Sequence, residues 1–153
     1  MSERAAEPRP HRSGRRKARK YALDVLFAAD LRDCHPDTAL AEQSEIQDLP
    51  PYTSQLVEGV VDRIDAIDRL LNARLDAGWS LPRLARVDRN LARIAVWEFT
   101  WGGVPAGVAI AEAVGLAAEL STDRSPDFLS GWLGAVASEQ ADPARLASDA
   151  PPV

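Results

Sequence analysis

Apolar positions recur at helical spacing along most of the chain. Leu23, Leu26, Phe27 and Leu31 share one side of a first helix that Ser13 can cap and that runs to about Asp33. Pro36 and Asp37 open a short second helix ending near Ile46, and Pro50-Pro51 then breaks the chain. A long third helix is predicted over about 51–77, because Leu56, Val60, Ile64, Ile67 and Leu71 form one apolar stripe. Gly78 suits the position just past its end, and Ser80 and Pro82 can start a short helix holding Leu81 and Leu84. The next helix covers about 88–101 and stops at Gly102-Gly103. Pro105 opens a sixth, with Val108, Ile110, Ala113, Val114, Ala117 and Leu120 expected to face inward. Ser125-Pro126 supplies a cap and a first-turn proline for a last helix bearing Phe128, Leu129, Trp132, Leu133 and Val136. No alternating β-branched run is long enough for a strand. The fold class is all-α, with about seven helices joined by short connections.

Composition adds bounds. The 153 residues suffice for a core without disulfide or metal staples, and 46% apolar with 27% charged residues is the balance of an ordinary globular chain. No stretch approaches a membrane span, and the basic start is not followed by the apolar run of a secretory signal. Cys34 is the sole cysteine, so a reducing cytoplasm is the expected home. Residues 1–12, with Pro8 and Pro10 and no large apolar residue but Met1, and residues 141–153 are expected to be disordered, leaving 13–140 as the structured part.

Charge is segregated. Residues 1–20 hold eight of the 18 basic side chains and only two acids, a net +6 that leaves −11 on the rest. A basic arm on an acidic body points to a polyanion, with a solubilising tail, a membrane surface or an acidic protein as the alternatives. Arg15, Arg16, Lys17, Arg19 and Lys20 would fall on the first turns of the first helix, where positive charge opposes the helix dipole; a cluster that costs stability has a use unless those turns fray.

Catalytic and metal chemistry find little support. His11 and His35 do not pair with Cys34 at a ligand spacing, and Asp62, Asp65 and Asp68 are interspersed with Arg63 and Arg69 like a solvated face. Cys34 beside His35 lacks an orienting third group. Gly102 to Gly107 does not match a phosphate-binding loop, so no cofactor is expected. Trp97, Phe99, Trp101 and Trp132 read as core, whereas Phe128, in a first helical turn, can either pack inward or serve as a stacking platform for a base.

Four segments resemble the NusB family of bacterial transcription antitermination factors. They are Gly14 to Phe27; Arg86 to Phe99, similar to V-[DE]-[RK]-x-x-L-R-x-x-x-[WY]-E-L; Val104 to Ala117, similar to V-P-x-x-V-x-I-[ND]-E-A-[IV]-x-L-A; and Ser121 to Leu133, similar to [TE]-[DE]-D-S-x-x-F-[IV]-N-G-[VI]-L. Their order and spacing match over about 14–138. The resemblance implies two small three-helix bundles packed together, no enzymatic activity, and pairing with the ribosomal protein NusE. It implies that the pair binds boxA single-stranded RNA of ribosomal RNA transcripts and, through other Nus factors, helps RNA polymerase read through terminators. It maps RNA contacts to Arg15, Arg16, Lys17 and Arg19, with Arg12 and Lys20 beside them, and to Phe128. It maps the NusE contact to Asp88, Phe27 and Leu31.

Arginine suits that role, since its flat guanidinium both forks to phosphate and stacks. Five neutralised phosphates would give a log–log salt slope of roughly −3.5. Two departures stand out: Arg124 where the family usually has an acid, which adds attraction for RNA, and Ser130 where asparagine is usual. The rivals are a helical protein-interaction module with a basic tail, a small enzyme, and the NusB-like domain that precedes some ribosomal RNA methyltransferases. An exposed apolar face could also support a homodimer.

Overall fold

The computed structural model describes residues 8–140, with side chains from residue 14 onward. Seven α-helices and one 3-10 turn make up the described chain: α1 (Pro8–Arg32), α2 (Pro36–Ile46), α3 (Pro51–Asp62), α4 (Ile64–Asn72), the turn (Leu81–Arg83), α5 (Arg86–Thr100), α6 (Ala106–Leu120) and α7 (Ser125–Gln140). There is no strand among the described residues. The chain divides into two compact units at Arg63–Ile64.

The number of helices agrees with the sequence reading, but two assignments differ. The expected third helix is two helices. The Arg63 amide bonds back to Gly59 and Val60 at 3.2 and 3.3 Å, its backbone leaves helical geometry, and α4 restarts at Ile64. Each half buries its own part of the stripe, Leu56, Val57 and Val60 in α3 and Ile67 and Leu71 in α4. The expected short helix after Ser80 is only the 3-10 turn. Helix α1 also begins at Pro8, ahead of the expected Ser13 cap, so residues 8–12 are helical rather than an arm. Prolines at the first turn remove only amides that would lack helical partners anyway. The other expected disordered residues, 1–7 and 141–153, lie outside the described residues.

In the first unit, α1 packs on α2 and α3. Ala18, Ala22, Leu23, Val25, Leu26 and Ala29 form its buried face. Thr53, fully buried on α3, donates its hydroxyl to the Ala18 carbonyl at 3.0 Å, a polar link that fixes the α1–α3 approach. Helix α1 ends in a Schellman turn: the Cys34 amide donates to Ala29 and the Asp33 amide to Asp30, with Asp33 at φ 53° where glycine is commonest. His35 then caps α2, its Nδ1 accepting from the Asp37 amide at 3.1 Å.

In the second unit, α5 is the central element, burying Leu91, Ala92, Ile94, Ala95, Val96 and Trp97. A fully buried residue of Val, Leu or Ile size stabilises by about 1.5–3 kcal/mol, so this helix carries much of the core. Helices α4, α6 and α7 all pack on it. Helix α6 buries Ala109, Ala113, Leu116 and Ala117, whereas Val108 and Leu120, expected to face inward, are 49% and 38% exposed. Arg93 of α5 grips Asp68 of α4 through two bonds of 2.9 Å. The Trp132 indole donates to the Leu71 carbonyl at 3.0 Å, pinning α7 to the end of α4.

Candidate nucleic-acid and partner surfaces

The first surface belongs to α1. Arg15, Arg16, Lys17 and Lys20 are exposed. The Arg15 guanidinium lies 4.5 Å from the centroid of the Tyr52 ring and the Lys17 ammonium 5.9 Å from that of Tyr21, so two of the four cations rest on aromatic faces. Arg19 does not join them: it is only 4% exposed. It lies three and four residues before Ala22 and Leu23 and seven before Leu26, on the apolar face of the helix. That periodicity was present in the sequence and outweighs the residue's charge. Arg12 lies in α1, but its side chain is outside the described residues. Because α1 starts at Pro8, Arg15 sits two turns inside the helix. The dipole acts mainly over the first turn, so the cluster does not carry the dipole cost expected of it.

One turn past Lys20, desolvation pushes the Asp24 carboxyl above its ordinary pKa and Lys20 draws it part of the way back. Further along α1, Phe27 is half-buried and Leu31 is 58% exposed. Arg32 beside them is held by Glu42 at 2.5 and 3.2 Å.

The second surface belongs to the second unit. A cavity of about 750 Å³ opens between the start of α7 and the segment joining α4 to α5. Its walls include Trp79, Arg83, Phe128 and Trp132, with Arg124 and Arg74 also lining it. Phe128, 36% exposed, stacks on the buried Trp132 with ring centroids 5.2 Å apart and 28° between planes. Phe128 thus packs on Trp132 and also lines the cavity. Arg124 is exposed.

Asp88 lies in the first turn of α5 and is 7% exposed, so it is not presented as a contact. Its Oδ1 accepts from the Ser121 hydroxyl at 2.7 Å and its Oδ2 from the Ser125 hydroxyl at 2.8 Å. Ser125 in turn accepts from the Thr122 amide at 3.3 Å. The carboxylate thus ties α5 to the loop that launches α7, and it sets where Phe128 stands one turn later. The serines at 121 and 125 were the available signal, but nothing in the chain order ties them to Asp88.

Trp79 and Arg83 were missed altogether. A tryptophan just after a glycine turn and outside every apolar stripe was the clue. Of the three aspartates weighed for a metal, Asp68 is bound by Arg93, and no group of three or more potential ligands gathers among the described residues. No described helix is long and apolar enough to cross a membrane.

The described chain is all-helical, with a cationic helix face in its first unit and an aromatic-walled cavity in its second. The profile of the NusB family matches residues 16–138. A transcription antitermination protein NusB of Pseudarthrobacter chlorophenolicus is 47% identical over 138 residues, 88% of this chain and 99% of the relative. The solved structure of T. maritima NusB superposes with a TM-score of 0.74 at 30% identity, covering 87% of this chain and 96% of that one. A chain of the crystal structure of antitermination factors NusB and NusE in complex with double-stranded RNA gives a TM-score of 0.73 at 28% identity, covering 82% of this chain and 97% of that one. The chain belongs to the NusB family.

Proposed function

We propose that this protein is a transcription antitermination factor that binds boxA-type RNA of ribosomal RNA transcripts together with a NusE-type ribosomal protein, promotes read-through by RNA polymerase, and acts in the cytoplasm where those transcripts arise. The observation that carries the reading is the set of four exposed cations on α1, in a chain whose residues beyond the first 20 carry −11. Confined positive charge on an acidic body suits a polyanion held locally. The relatives named NusB, and the complex that pairs NusB with NusE and RNA, support the same reading. Arg15, Arg16, Lys17 and Lys20 hold phosphates, and Phe128 offers its exposed face to a base. Phe27 and Leu31 supply the apolar contact for the NusE-type partner. Arg19 and Asp88 act inside the fold instead.

Fluorescence anisotropy tests this with a boxA-type RNA and a scrambled RNA of equal length, with and without the ribosomal protein, across a salt series. Four phosphate contacts give a log–log slope of roughly −2.8, shallower than the five-contact value. Preferential boxA binding tightened by the partner is the expected result. Equal weak binding of both RNAs, indifferent to the partner, would overturn the proposal in favour of an interaction module with a basic end.

A further inference from the structure

We infer that the cavity of the second unit is a pocket for one unstacked nucleobase, with Trp79 as a stacking wall in addition to Phe128. The inference deepens the RNA-binding proposal above and rests on it.

Trp79 is 55% exposed, an unusual place for the largest apolar side chain. Its segment is nonetheless pinned. The Trp79 amide donates to the Asp76 carbonyl at 3.0 Å, and Gly78 takes φ 90°, a conformation open to glycine and strained for other residues. Arg83 donates to the Gly78 carbonyl, and its guanidinium lies 5.5 Å from the centroid of the Trp79 ring. Holding a half-exposed indole in this way costs entropy and leaves apolar surface in water, which the Arg83 contact offsets only in part. The cost is offset when a planar ligand covers the ring.

Trp79 lines the same cavity as Phe128 and Trp132, so aromatic surface is offered from the α4–α5 segment as well as from α7. The volume of about 750 Å³ is in the usual range for small-molecule pockets. The lining holds Arg74, Arg83 and Arg124 against Asp76, Asp88 and Asp127, so its formal charge balances and the aromatic walls select the flat base. Asp76 and Asp127 can accept hydrogen bonds from the N–H groups of a base, and the exposed Arg124 can meet the backbone phosphate.

The test uses the full chain, a labelled boxA-type RNA, and a set of the same oligomer with one nucleotide at a time made abasic. Trp79→Ala is expected to weaken binding about tenfold with the salt slope unchanged, since stacking is not a phosphate contact. Trp79→Phe should restore most of the loss. One abasic position should weaken the parent protein but add nothing to the Trp79→Ala defect. Unaltered affinity in Trp79→Ala overturns the inference, as does a loss that all abasic oligomers share equally. Loss of NusE-type partner binding with RNA binding intact also overturns it and makes Trp79 a protein contact. A parent protein that binds no RNA removes the functional proposal itself; a parent that binds with the expected slope while Trp79→Ala is indistinguishable removes only this one. Should Trp79→Ala fail to fold, photo-crosslinking of 5-bromouridine-substituted RNA to the parent protein decides: a crosslink on the peptide holding Trp79 supports the pocket, and its absence at every substituted position overturns it.

Discussion

Removing the Asp88 carboxylate is expected to loosen the start of α7 before it affects any partner. The group is 7% exposed and accepts two hydroxyl bonds, at 2.7 and 2.8 Å, from Ser121 and from Ser125, which is itself 2% exposed. A hydrogen bond to a charged group nets about 1.5–3 kcal/mol, so two bonds set an upper range near 3–6 kcal/mol. Part of that is recovered. Ser125 is within 3.0 Å of the Ser121 hydroxyl and within 2.8 Å of the Thr122 hydroxyl, so the three can bond one another once the acceptor is gone. Asp88→Ala is therefore expected to cost about 2–4 kcal/mol, and Asp88→Asn, which keeps the shape and one acceptor oxygen, about 1 kcal/mol. Urea unfolding followed by circular dichroism reads both values, with an unchanged m-value as the check that only the native state is affected. Binding of the NusE-type protein to folded Asp88→Asn should stay within about twofold of the parent, well under the tenfold that a lost 1.4 kcal/mol would produce. A cost below about 0.5 kcal/mol for Asp88→Ala, or a tenfold loss of partner affinity in a fully stable Asp88→Asn, would refute the assignment of Asp88 to the interior.

Two further outcomes follow from burial and close packing. Neutralising Arg15 or Arg16 should reduce the salt slope for RNA by about 0.7 each, whereas Arg19→Ala should leave the slope alone and lower stability by about 1–3 kcal/mol; an equal slope change from Arg19 would contradict its 4% exposure. Gly102→Ala should cost about 1–3 kcal/mol in thermal or urea unfolding, because a Cβ there would come within 2.8 Å of the Trp97 ring and 3.0 Å of the Glu98 backbone, while Gly107→Ala, with nothing within 4 Å, should stay within about 0.5 kcal/mol of the parent.

Helices were legible because their information is local. Proline pairs, helical spacing and the Gly102-Gly103 stop each act within a turn or two, and α2, α5 and α7 lie within a few residues of where those signals put them. The break at Arg63 was not legible, since Leu56 to Leu71 keeps one uninterrupted stripe and the change of unit leaves no mark on it. In α6 the abundance of alanine and valine hid the phase: small residues give the weakest contrast between faces, and the inward set shifted to Ala109 and Leu116. Candidate contacts fared according to the same rule. The exposed cations at 15, 16, 17 and 20 could be read from charge alone, but Arg19 needed the apolar phase to be weighed against charge. Asp88 needed a partner 33 and 37 residues away, and Trp79 needed a cavity built from two segments distant in sequence.

The segregation of charge itself limits how the proposed RNA contacts share the work. At physiological salt the screening length is about 8 Å, so the cations on α1 attract a strand only when it is close, and the net acidic remainder adds to that attraction only locally, as at Arg124. Attraction of that kind is blind to sequence, and four contacts give modest affinity that falls steeply with salt. Selection among RNAs must then arise where bases meet rings and fixed polar groups, at contacts whose energy is insensitive to salt. A variant set that separates slope from intercept tells the two apart: changes on α1 should move the slope, and changes at Trp79 or Phe128 should move affinity at constant slope. If both sets moved the slope alike, the division of labour between cationic helix and aromatic cavity would be wrong, and the cavity would be one more phosphate contact.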